Sequence, residues 1–111
     1  MSSCVKTISV VEFKQLCDSK SDACLIDVRE PMECHQQRIS GVTNIPKDLL
    51  IDRIQTMVSD HLRPIYLHCR AGVRSYDAAL KLIQHGYENV YSVDGGLNAW
   101  IQAGYEVETL S

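Results

Sequence analysis

IYLHCRAGVRS, residues 65–75, changes character halfway along. Ile65-Tyr66-Leu67-His68 is short, apolar and rich in strand formers, which is how a strand buried in a sheet reads. From Ser75 onward, Tyr76, Ala79, Leu80, Ile83 and Tyr87 recur at a helical interval, and Gly86 offers a left-handed stop. Between them lies only a tight, glycine-bearing turn. The stretch is one strand–turn–helix unit, and its surroundings decide whether the unit repeats.

It does repeat. Upstream, Cys24-Leu25-Ile26-Asp27-Val28 is an apolar run ending in charge, followed by Arg29-Glu30-Pro31, where Pro31 suits a first helical turn and Glu33 its positive end. A short apolar start over Val5–Ile8 leads into Ser9-Val10-Val11-Glu12, a capping box. The helix it opens runs to about Cys17, with Val10, Phe13 and Leu16 or Cys17 facing inward. Gly41–Pro46 reads as a short strand closed by proline. Lys47 to Ser59 reads as a helix on the spacing of Leu50, Ile51, Ile54, Met57 and Val58. Downstream, Val90–Val93 is a last strand, and Asp94-Gly95-Gly96 turns it into a helix through Leu97 and Trp100 that ends near Gly104. Alternation of this kind predicts an α/β fold: a mostly parallel sheet of about five strands, helices on both faces, right-handed crossovers.

At 111 residues the chain has the length of a single domain, residues 1–111, with enough core to fold without staples. A net charge of −3 argues against nucleic acid as the main partner, so any attraction for anions is local. No stretch approaches the ~20 apolar residues of a membrane span, and the N-terminus lacks a signal-peptide core. Cys4, Cys17, Cys24, Cys34 and Cys69 are odd in number and form no CxxC pair, a poor disulfide framework and a poor zinc site. The chain is therefore expected in the cytosol, with four of these thiols acting as small hydrophobes.

Cys69 is the exception. In a parallel sheet, ligands collect beyond the carboxyl ends of the strands, at helix N-termini. Cys69 falls there, with Arg70-Ala71-Gly72-Val73-Arg74 completing a turn tight enough to aim several amides at its centre. An ordinary thiol, with a pKa of ~8.5, is only a few per cent ionised at neutral pH. Making the thiolate the major form takes about 2.7 kcal/mol of preferential stabilisation, within the reach of amides, a helix terminus and an arginine. The product is a nucleophile in a pocket that attracts anions.

LIDVREPMEC at 25–34, GVTNIP at 41–46, HCRAGVRS at 68–75 and DGGLNAW at 94–100 together resemble the single-domain rhodaneses, sulfurtransferases that move sulfane sulfur. The likeness covers nearly the whole chain, and the cysteine loop combined with DGGLNAW is its most specific part. It implies that Cys69 accepts a sulfur and holds it as a persulfide, in a cradle formed by the backbone of Arg70, Ala71, Gly72, Val73 and Arg74. It implies that Arg74 orients and neutralises the incoming anion, that Arg70 tunes access at the mouth, and that Asp27 orders the neighbourhood, with Ser75 beside the loop. Arg29 is expected either on the anionic rim or in a surface ion pair. The donor would be thiosulfate or another persulfide, the acceptor cyanide, a small thiol or a protein cysteine, with no metal or organic cofactor. Where relatives often read Gly-His-Ile-Pro-Gly, this chain has Gln37-Arg38-Ile39-Ser40-Gly41, which alters local packing.

Two other readings use the same cysteine. Cysteine phosphatases and arsenate reductases also follow a strand-end cysteine with an amide cradle and an arginine. The phosphatase loop is one residue longer; here Arg74 falls five positions after Cys69. A sulfur carrier that docks on a dedicated partner would need the same thiol. His68 precedes the nucleophile but alternation turns it away, so a packed role is expected. His35, His61 and His85 read as solvated, Gly95-Gly96 as a turn, Trp100 as core, and the charges of Lys47–Asp60 as a solvated face.

Overall fold

A computed structural model of the chain describes residues 4–19 and 22–109. Five strands, β1 (Lys6–Ile8), β2 (Cys24–Asp27), β3 (Thr43–Asn44), β4 (Ile65–His68) and β5 (Val90–Val93), form one sheet in the order β1-β5-β4-β2-β3. Every pairing is parallel. The register sets Asp27 beside His68 and Leu67 beside Ser92, so the carboxyl ends of the three central strands finish together. The expected α/β architecture is the one observed.

Two cores flank the sheet, and period-2 alternation assigns residues to them. Ile26, Ile65, Leu67 and Val90 pack against α3 (Leu50–Met57) and α4 (Val73–Gln84) through Leu50, Ile54, Ala78, Ala79 and Leu82. Leu25, Tyr66, Tyr91 and Val93 join α1 (Val10–Asp18) and α5 (Gly96–Gln102) through Val10, Phe13, Leu97 and Trp100. Each buried aliphatic side chain is worth roughly 1.5–3 kcal/mol relative to exposure. The Ser9–Glu12 capping box forms, with the Glu12 amide donating to Ser9 Oγ at 3.1 Å. α2 (Pro31–Gln36) opens on its proline, and a 3₁₀ turn (Lys47–Leu49) precedes α3. Among the described residues no helix is long and apolar enough to cross a membrane.

In two helices the apolar residues at helical spacing do not all face inward. α4 starts at Val73, and its rotation is set by Ser75, which points at the sheet; Ala78, Ala79 and Leu82 follow it inward. Successive residues turn by about 100°, so Tyr76 and Leu80, two of the apolar residues at helical spacing, stand 44% and 42% exposed. In α3 the buried residues are Leu50 and Ile54, with Val58 just beyond, while Met57 is exposed. Both segments carry apolar residues over more than one face, which leaves the phase open until a tertiary contact fixes it.

Candidate active site

The loop after β4 wraps around its own cysteine. Gly72, at φ +101°, bends the backbone so that its amide donates to Cys69 Sγ at 3.1 Å. α4 then begins, and the Ser75 amide donates to the same sulfur at 3.4 Å. Ser75 Oγ lies 3.5 Å from Sγ and 2.7 Å from Ser92 Oγ, the inward side chain of β5. With the sulfur ionised, the Ser75 hydroxyl donates to it while Ser92 donates to Ser75, so two buried hydroxyls line up behind one sulfur. Burial alone would raise the Cys69 pKa; the Ser75 hydroxyl and the amides of Ser75, Gly72 and Ala71 outweigh it and bring the thiol below its ordinary value.

A second loop holds the first in place. The amides of Leu97 and Asn98, in the first turn of α5, donate to the carbonyls of Cys69 and Arg70, each at 2.9 Å. The approach is close enough that a Cβ at Gly96 would lie 2.3 Å from the Cys69 carbonyl oxygen. Gly95-Gly96, expected only as a turn, is thus also the floor on which the cysteine loop rests.

Asp27, at the end of β2, anchors a buried cluster. Its carboxylate accepts from Arg29 Nε at 3.0 Å and from Nη2 at 2.8 Å. Arg29 is fully buried, and its Nη2 also donates to the Gln37 carbonyl at 2.6 Å. This corrects the expectation for Arg29: it sits neither on the rim nor in a surface pair, because Asp27 neutralises it inside the protein. Burial would raise the Asp27 pKa, but the hydrogen bonds from Arg29, with His68 nearby, hold it below the usual value. Cys34 is more than a small hydrophobe, since its thiol donates to Asp27 Oδ2 at 3.3 Å. Burial, then the adjacent carboxylate, push its pKa up to about 12.

His68 packs edge-on to Phe13 on the opposite side of the sheet from the core that includes Cys69. Its Nδ1 lies 3.1 Å from the Cys69 carbonyl, which can only accept, so Nδ1 carries a proton. Burial lowers its pKa against the pull of Asp27. The altered 37–41 segment is tied down by Arg38, whose backbone pairs with Glu108 in both directions and whose Nε meets Glu108 Oε2 at 3.0 Å.

Of the residues expected at the site, the fold brings Cys69, Ala71, Gly72 and Ser75 into one arrangement around the sulfur. Arg70 and Val73 point outward and are exposed. Arg74 lies within electrostatic reach of the sulfur but is held by Glu33 of α2, through two hydrogen bonds of 2.7 and 2.9 Å. Sequence reasoning missed Ser92 and Glu33 as site residues. Strand alternation could have placed Ser92 on the α4 side; nothing local marks Glu33, because its partner lies 41 residues away.

The profile of the rhodanese-like domain matches residues 9–103. A sulfurtransferase from Allochromatium vinosum is 34% identical over 93% of this chain and 94% of its own. The thiosulfate sulfurtransferase GlpE of Shewanella oneidensis is 33% identical over 88% and 94%. Among solved structures, a rhodanese-like domain protein from Staphylococcus aureus superposes with a TM-score of 0.78 at 30% identity, covering 96% of this chain and all of that one. The chain belongs to the rhodanese-like domain family.

Proposed function

We propose that this chain is a sulfurtransferase that takes a sulfane sulfur from thiosulfate or a persulfide and passes it, as a Cys69 persulfide, to cyanide or a thiol. The observation that carries the reading is the convergence of the Gly72 and Ser75 amides and the Ser75 hydroxyl on one buried sulfur. Donors so placed favour a thiolate before reaction and the terminal sulfur of a persulfide after it, so both halves of the cycle use one cradle. In the first half the thiolate attacks the donor's outer sulfur, and sulfite or a thiolate leaves with the electron pair of the broken bond. In the second, the acceptor attacks the outer persulfide sulfur and Cys69 leaves as thiolate.

The remaining roles follow from position. Arg74, paired with Glu33, stands beside the sulfur, Arg70 stands at the mouth, and the Asp27–Arg29 pair ties the end of β2 to the Gln37 carbonyl beyond α2. Exposed Met32 and Val73 flank Glu33 and Arg74 in sequence, which favours a second reading in which the acceptor is a cysteine on a docking protein. The five free cysteines suit the reducing cytosol. Incubation with thiosulfate should add ~32 Da to Cys69, removable by cyanide. No adduct from thiosulfate and none from methanethiosulfonate, or an adduct retained in Cys69→Ser, would overturn the reading.

A further inference from the structure

We propose that Glu33 sets the charge of the sulfur donor, tuning the site toward monoanionic sulfane donors and away from dianionic ones such as thiosulfate. This rests on the sulfur-transfer reading above. The observation is the bidentate pair between Glu33 and Arg74. Arg74 is the loop arginine nearest in role to an anion receptor, yet both of its bonding nitrogens are already occupied by a carboxylate. Arg29, the other nearby guanidinium, is buried against Asp27. Arg70 is exposed. The cradle therefore offers amides, which are dipoles, together with an arginine whose charge is cancelled at contact distance.

Glu33 is well built for this position. It sits in the first turn of α2, where its Oε2 also accepts from the Glu30 amide at 2.9 Å, so the side chain is fixed from two sides. Arg74 holds its carboxyl far down, to about 2, and it is ionised throughout the range in which a thiolate can act. An arriving anion must either displace this carboxylate from Arg74 or bind beside it. Repulsion grows in proportion to the donor's charge, so a dianion is disfavoured by twice the energy that a monoanion is.

The relation makes the test quantitative. Thiosulfate and methanethiosulfonate present the same outer sulfur, but one carries two negative charges and the other one. Attack by the Cys69 thiolate gives the same persulfide, with sulfite leaving in the first case and methanesulfinate in the second. Glu33→Gln removes the charge yet keeps an acceptor for the Glu30 amide. If the variant raises kcat/KM for methanethiosulfonate about threefold, it should raise that for thiosulfate about tenfold, the square of the smaller factor. Any accompanying change in the nucleophile affects both donors equally and drops out of their ratio.

Arg74→Ala supplies an independent arm, since it leaves Glu33 unpaired at the mouth. Thiosulfate turnover should then fall by the larger factor, and adding Glu33→Gln should recover part of the loss. An unchanged donor ratio in both variants, with Cys69 still acquiring sulfur, overturns this inference alone. A fall in thiosulfate use in Glu33→Gln does the same, because it makes the pair a support for Arg74 and not a brake on it. Failure of the wild-type protein to acquire sulfur from either donor overturns the sulfur-transfer reading, and this one with it.

Discussion

Cys69 and Cys34 are both nearly inaccessible, 1% and 6% exposed, yet their surroundings drive them apart. Around Cys69 every close polar neighbour can donate: two amides at 3.1 and 3.4 Å and a hydroxyl at 3.5 Å. Around Cys34 the nearest polar atom is a carboxylate oxygen at 3.3 Å, which can only accept. Burial raises both thiols. The donors reverse that for Cys69, while Asp27 compounds it for Cys34. Reactivity in this fold is thus decided by the direction of nearby dipoles and not by depth.

The largest effect comes from disturbing the Cys34 side. Asp27→Asn leaves Arg29 buried without a counter-ion, and a loss of roughly 3–5 kcal/mol in urea-unfolding stability is expected. A change below 1 kcal/mol would mean that Asp27 does not hold this cluster. Next is Gly96→Ala, whose new methyl would meet the Cys69 carbonyl at 2.3 Å and would sit on a backbone of φ +51°. It should cost about 3 kcal/mol and, by moving the loop, make Cys69 resemble Cys34 in thiol reactivity. Unchanged melting and unchanged alkylation rate would show that the second loop does not support the first.

Ser75→Ala is a smaller change at the sulfur itself. Losing a hydrogen bond to a charged group of about 1.5 kcal/mol should raise the Cys69 pKa by roughly one pH unit, a tenfold loss of thiolate below that pKa. Ser92→Ala should do the same more weakly, and a larger effect from Ser92 than from Ser75 would contradict the order of the two hydroxyls. The smallest effect belongs to Glu33, the link between the two regions. Its folded pKa, about 2, lies below its ordinary 4.5, so its contribution is complete above pH 4.5 and is lost as the pH falls through 2. The pair is partly solvated, so the difference between wild type and Glu33→Gln in acid unfolding should stay below ~1 kcal/mol and vanish toward pH 2.

The fold was largely legible because its signals are local. The Ser9–Glu12 box, Pro31 at a helix start, the apolar runs at Cys24, Ile65 and Val90, and the glycines at 72, 86 and 95–96 each act within a few residues. The same holds for Cys69, Gly72 and Ser75, which share one turn and the helix start that follows it. What escaped depends on which side chains meet once the elements pack. The outward face of Tyr76 and Leu80 is fixed by Ser75 meeting Ser92. Burial of Arg29 needs the Gln37 carbonyl and Asp27 on both sides of it. Engagement of Arg74 needs a glutamate on another helix.

The state of the Cys69 sulfur in the resting protein is the most direct test, read by pH-dependent alkylation with peptide mapping to separate the cysteines. The account predicts a Cys69 midpoint below the ~8.5 of a free thiol, with Cys34 unreactive until far above it. A Cys69 midpoint at or above that of free cysteine, or one shared with Cys34, would contradict it.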